Sequence, residues 1–224
     1  MPTAAAARGR AWVLPDEPVP VRLMSTVWAD GDGVHDDFGT AADVDAWLGA
    51  AGFDQAGART SAGELATARS LRDAVRRLAA YRTGDTRTAA PDVLSSVEEA
   101  VSVVNAAAAA IPAPSLALRD GRLEQRPAAG PSPVTDALAR VAVQAVDLFG
   151  GPDADRLRAC CAPGCVLYFV AAHPRRAWCS VGCGNRARAA RHYQKVRQDQ
   201  RGRQDQQGRQ DQQVRRDAGG TAAS

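Results

Sequence analysis

Apolar positions recur along this chain with mostly helical spacing, broken by short runs that favour extended structure. Val19 to Val27 is a short apolar-rich run and predicts a strand. Asp30-Gly31-Asp32-Gly33 ends it as a loop; the motif lacks the length and ligand spacing of a calcium loop. Ala42 to Ala50 predicts a helix with Val44, Trp47 and Leu48 on one side. Ser61 followed by Glu64 is a capping-box pattern. It opens a long helix in which Leu65, Ala68, Leu71, Val75 and Leu78 keep helical spacing. Pro91 suits the first turn of a further helix, with Leu94, Val97, Val101 and Val104 as its stripe. Leu116–Arg119 and Arg122–Gln125 flank Asp120-Gly121, which predicts a hairpin. A last body helix follows Ser132-Pro133, with Val134, Leu138, Val141, Ala145 and Leu148 on one face, and Gly150-Gly151-Pro152 ends it.

The pattern changes after residue 155. Cys160, Cys165, Cys179 and Cys183 form a C-x4-C pair and a C-x3-C pair, and the second runs into Gly184-Asn185-Arg186. All five cysteines of the chain lie between positions 160 and 183. In a reducing compartment that concentration favours a metal over disulfides. Four thiolates at these spacings fit one closed, structural Zn²⁺; a catalytic zinc would keep one position open. Cys161 can replace Cys160 on spacing alone, which would make both pairs C-x3-C. Between the pairs, Val166-Leu-Tyr-Phe-Val170 is β-prone, so the module reads as a β-hairpin followed by a helix. Tyr168, Phe169 and Trp178 are its expected small core, and base stacking is the sharper alternative for one of them.

Charge sharpens this division. The formal net charge is +3. Residues 1–155 hold 14 Lys or Arg against 21 Asp or Glu, whereas residues 156–197 hold nine Lys or Arg and no acid. On a helix from Cys183 to Gln200, Arg188, Arg191, His192 and Lys195 fall on one face. Ala189, Tyr193 and Val196 are expected beside them as the buried side. A metal-stapled, acid-free segment with a basic helix face points to nucleic acid. The candidate contacts are Arg175, Arg176, Asn185, Arg186, Arg188, Arg191, His192 and Lys195. Arg188 or Arg191 is the expected base reader, because arginine pairs with guanine in the major groove.

Several function classes find no support. No apolar run reaches signal-peptide or bilayer-spanning length, so a cytoplasmic protein, nucleoid-associated when bound to DNA, is expected. The body has no phosphate loop and no triad spacing. Its titratable candidates, His35, Asp36, Asp37 and Arg72, make no evident catalytic set, and the chain is not expected to be an enzyme. Trp28 and Trp47 are expected in the core. Gly202-Arg-Gln-Asp-Gln-Gln207 recurs at Gly208–Gln213, an apolar-poor repeat expected to be disordered or to continue the preceding helix.

Trp178-Cys-Ser180, Cys183-Gly-Asn-Arg186 and the basic helix with His192-Tyr193 resemble the CGNR zinc-finger family. That family's first knuckle is C-x4-C with a proline before its second cysteine. Cys160, Pro163 and Cys165 match it, so the resemblance selects Cys160 over Cys161. The body is similar to the ABATE domain of stress-induced transcription regulators, through Val21–Thr26, Asp36-Asp37, Ala46-Trp-Leu48, Leu71-Arg72 and Asp155–Arg158. This chain has Ser25-Thr26 where the family often has Asn-Thr, and Ala171 or Ala172 where an acidic residue is common. The resemblance implies a DNA-binding regulator of the stress response.

The expected architecture is α+β. A flexible N-terminus (1–17) precedes a mainly helical body with a small β-sheet or hairpin (18–152). A zinc-bound module (153–198) and a disordered Gln/Arg/Asp repeat tail (199–224) follow. One structural Zn²⁺ is the expected cofactor and DNA the expected partner. A homodimer and an unidentified small-molecule effector both fit. The competing readings are a zinc module for RNA or an acidic protein surface, and a ligand-binding or enzymatic body with a structural finger.

Overall fold

The computed structural model describes residues 14–87, 96–126 and 130–220. Pro91, Leu94 and most of the expected N-terminal segment lie outside the described residues.

The first apolar run is a helix rather than a strand. Helix α1 spans Val19–Met24, and only Val27–Ala29 (β1) is extended. Pro18 precedes the helix and a proline occupies its first turn, where a missing N–H costs nothing and φ is preset. Strand β2 (Val34–Asp36) pairs antiparallel with β1, and α2 spans Ala41–Ala50.

Helix α3 runs from Ala62 to Thr83. Its capping box is formed as expected: the Ser61 hydroxyl accepts from the Glu64 N–H at 3.2 Å, and Glu64 accepts from the Ser61 N–H at 2.8 Å. Gly84, with φ of 62°, closes its C-terminus in the left-handed region. Helices α4 (Val97–Ala109) and α5 (Pro133–Gly150) start at Ser96 and Ser132, whose hydroxyls accept from Glu99 N and Thr135 N. Of the expected α4 stripe Val104 is buried, but Val101 is exposed and Ala100 faces inward instead. All five predicted apolar positions of α5 are buried.

Helices α3, α4 and α5 pack on one another, with α1 against α3 and α5, and α2 against α3. Among the described residues the sheets are three separate antiparallel pairs. In the second, β3 (Ser115–Arg119) and β4 (Arg122–Arg126) form the predicted hairpin. In the third, β5 (Leu157–Ala159) follows a short 3-10 turn at Pro152–Arg156 and pairs with β6 (Tyr168–Val170). Helix α6 spans Val181–Gly220, so of the two expectations for the repeat, the structure carries it as a continuation of the helix.

Leu157, Tyr168 and Phe169 join the same buried cluster as Val21, Leu71 and Val141. The β5–β6 pair therefore lies on the body rather than forming a separate core. Among the described residues, no helix is long and apolar enough to cross a membrane.

Candidate metal centre and basic helix

The four sulfurs come together because two short loops are each pinned by their own backbone. Cys160 N donates to Leu167 O at 2.9 Å, continuing the β5–β6 ladder by one rung. Cys165 N donates to Ala162 O at 3.0 Å, and Gly164 takes the positive φ of 70° that this turn needs. The second loop ends at Ser180, whose hydroxyl accepts from Cys183 N at 3.2 Å and caps α6. Cys183 thus sits in the first helical turn, where the exposed N–H groups favour a thiolate.

The ligand atoms of Cys160, Cys165, Cys179 and Cys183 all lie within 4.8 Å of one another, and all four residues are buried. Cys165 Sγ and Cys179 Sγ are 3.9 Å apart, and Cys179 Sγ and Cys183 Sγ are 3.4 Å apart. A tetrahedron of Zn–S bonds has edges of ~3.8 Å. The donor set therefore fits one structural Zn²⁺, closed by protein sulfur on every side. Cys161 is exposed, and its thiol reaches only Ala159 O, which settles the ligand choice for Cys160.

The contacts among the sulfurs divide their proton affinities. Hydrogen bonding with Cys165 lowers Cys160 to about 6, and contact with Cys160 lowers Cys183. Contact with Cys160 raises Cys165 and Cys179. Two donors favour negative charge on the two lowered sulfurs: Cys179 N points to Cys160 Sγ at 3.5 Å, and an Arg186 N–H reaches Cys183 Sγ at 3.3 Å.

The body grips this centre through residues whose roles no spacing in the sequence marked. Arg87 donates to the carbonyls of Cys160 (2.7 Å) and Cys165 (2.9 Å) while ion-paired to Asp85 at 2.6 Å. Asp85 also accepts from the Tyr168 hydroxyl at 2.7 Å. Burial pushes the Asp85 carboxyl up, but the bonds from Arg87 and Tyr168 outweigh it and hold it below its usual range. Burial and the Asp85 carboxylate push Tyr168 up to about 12. Arg76, buried on α3, donates to Met24 O and Val166 O. From the other end of the chain, Glu17 accepts from Val170 N at 2.8 Å and pairs with Arg176 at 2.7 Å. One signal was available: Arg72 and Arg76 lie on the same arc of α3 as Leu71, Val75 and Ala79, and buried cations need partners.

Arg72 pairs through both terminal nitrogens with Asp36, at 2.5 and 2.9 Å. Trp28 donates to Asp37 and stacks on His35, which in turn bonds Asp30. The Arg72–Asp36 pair ties the β1–β2 hairpin to α3, and the other contacts brace the hairpin internally. Trp47 is buried, whereas Trp28 is half-buried.

The expected nucleic-acid contacts divide into two sets. Arg175, Asn185, Arg186, Arg188, Arg191, His192 and Lys195 are exposed. Arg176 is different: it donates to Val170 O and Cys179 O, pairs with Glu17 and stacks over Phe169. Its guanidinium is saturated inside the protein, which removes it from the set. Arg188 bonds the Asn185 side chain, and Arg191 lies over the Trp178 ring. Trp178 is half-buried rather than core.

The inward side of α6 consists of Cys183, Gly184 and Ala187. Ala189, Tyr193 and Val196, expected to be buried, are exposed, because the helix leaves the body within its first three turns. A groove of about 550 Å³ separates α6 from the first cysteine loop. Arg158 and Arg191 stand on its rims, and neither has a carboxylate partner among the described residues. Arg158 therefore extends the basic surface beyond the residues expected from sequence.

A family model described as "Putative stress-induced transcription regulator" (ABATE) matches residues 17–152. A model of the CGNR zinc finger matches residues 156–196. No curated protein matches the chain.

Proposed function

Because the chain belongs to the ABATE family, described as "Putative stress-induced transcription regulator", and carries a CGNR zinc finger, we propose that it regulates transcription by binding DNA through the start of α6. One observation carries this reading. The exposed basic residues Arg188, Arg191, His192 and Lys195 follow directly on a helix turn that the zinc ligand Cys183 fixes. The metal sets the direction of the helix, and the helix sets the direction of the charges. No acid occurs between residues 156 and 197 to oppose a phosphate backbone.

In this reading Arg158, Arg175 and Lys195 contact phosphates and position the protein. Arg188 and Arg191 read base edges in the major groove. Arg186 and Arg176 hold the module together. The helical body acts as sensor or dimerisation unit, and no catalytic role falls to any of its residues. The protein then works in the cytoplasm, at the nucleoid when bound.

The test is selection of genomic fragments by the purified protein at near-physiological salt, with and without a zinc chelator. A shared sequence motif, lost on chelation, is the expected result. Unrelated fragments bound equally after chelation would refute the reading. The same basic face also suits structured RNA, so competition between duplex DNA and RNA belongs in the same experiment.

A further inference from the structure

The β3–β4 hairpin exposes what the rest of the body hides. Leu116, Leu118 and Leu123 are each about 70% exposed. Leu118 stands opposite Leu123 in the register and Leu116 is two residues from Leu118, so all three share one face. The hairpin pairs with no third strand among the described residues. A lone two-stranded sheet is marginal in water, and an apolar sheet face with an open edge invites a further strand.

The two edges differ in what they can accept. Asp120 (φ 51°) and Gly121 (φ 76°) form a two-residue turn of the I′ kind, closing on Arg119 opposite Arg122. The alternation of an antiparallel ladder then directs the backbone groups of Arg119, Ala117 and Ser115 toward β4, and those of Leu118 and Leu116 outward. On β4, Leu123 and Gln125 point outward. A second copy of β4, related by a two-fold axis at Glu124, would set Glu124 against Glu124 and Arg122 against Arg126. Like charges directly opposite are destabilising. A second copy of β3, with the axis at Ala117, sets Leu116 against Leu118, Ala117 against Ala117 and Ser115 against Arg119. No like charges meet, and the outward N–H and C=O groups of Leu116 and Leu118 satisfy those of their counterparts.

We infer that β3 is a homodimerisation edge, pairing antiparallel with β3 of a second copy to form a four-stranded sheet with six leucines on one face. The match is self-complementary, as a two-fold interface requires. It uses no residue of the metal centre or of α6, so it stands or falls separately from DNA binding.

The test uses the full zinc-loaded chain. Light scattering at tens of micromolar should give twice the 23.5 kDa chain mass. Leu118→Lys, at an exposed site, should yield monomers that keep native helical circular dichroism and one zinc per chain, with a melting temperature no longer dependent on protein concentration. In a Cys161→Ser background, Ala117→Cys should form an intermolecular disulfide on brief diamide treatment. The two-fold places those Cα atoms about 4.5 Å apart. Ser115→Cys should not, since its counterpart is Arg119. A monomer at this concentration, a dimer indifferent to Leu118→Lys, or equal cross-linking at 115 and 117 would each overturn the inference.

Discussion

Glu17 and Arg176, separated by most of the chain, form a 2.7 Å ion pair that fastens the zinc module to the start of the body. Glu17 is buried and also accepts from Val170 N, so its carboxylate ties both strand β6 and the second cysteine loop. Glu17→Gln should cost about 2 kcal/mol, because it leaves a half-buried guanidinium with weaker partners. Urea unfolding of Glu17→Gln, Arg176→Met and the double variant measures this. The double variant should lose clearly less than the sum of the singles.

Zinc removal should loosen more than the module. The carbonyls that Arg87 holds belong to Cys160 and Cys165, and the strand between them and the second loop carries Tyr168 and Phe169 into the common core. Chelation should therefore lower the melting temperature of the whole chain by roughly 10–20 °C, a loss of ~5 kcal/mol or more. Metal analysis should give one zinc per chain for the native protein and for Cys161→Ser, and none for Cys160→Ser. Full zinc in Cys160→Ser would show that Cys161 substitutes for it.

The Asp85–Tyr168 bond sets both pH limits of this contact. Asp85 has a depressed pKa, so its contribution is present above the ordinary carboxylate value of 3.8 and is lost as pH falls through the lower folded value. Tyr168 is raised from 10.0 to about 12, so its contribution is complete below pH 10 and disappears as pH rises toward 12. Between about pH 10 and 12, stability should fall by on the order of 2 kcal/mol from this group. Tyr168→Phe should be less stable than the native chain at about pH 8 and should flatten the alkaline slope. Denaturant titrations across that range decide it; an unchanged slope in the variant would remove Tyr168 as the cause.

Salt dependence separates the two kinds of arginine in the module. Lys195→Ala and Arg158→Ala should each reduce the slope of log affinity against log salt by about one, with little change in melting temperature. Arg176→Ala should do the reverse, lowering stability because its guanidinium bonds are internal. Arg188→Ala or Arg191→Ala should alter the preferred sequence as well as the affinity. A slope unchanged by Lys195→Ala would take that side chain off the phosphate backbone.

The sequence by itself determined what depends on neighbours a few residues apart. Ser61 and Glu64 cap α3, Asp120-Gly121 turns the β3–β4 hairpin, and the cysteine spacings bring four sulfurs to one metal, because each is closed by a short loop of fixed geometry. The acid-free segment around Arg188 and Lys195 was equally legible, since charge needs no fold to be counted. The run Val19–Val27 was misread because a short apolar stretch fits a strand or a buried helix equally, and packing of α1 against α3 and α5 made the choice. Only the tertiary structure decided that the zinc module shares the body's core. Its partners Glu17, Arg76, Asp85 and Arg87 lie about 70 to 160 residues from the atoms they hold, and no periodicity spans such distances. The exposure of Tyr193, Val196 and the hairpin leucines was also beyond the sequence. An apolar residue at the right spacing is buried only if another element covers it, and coverage is a property of the assembled fold.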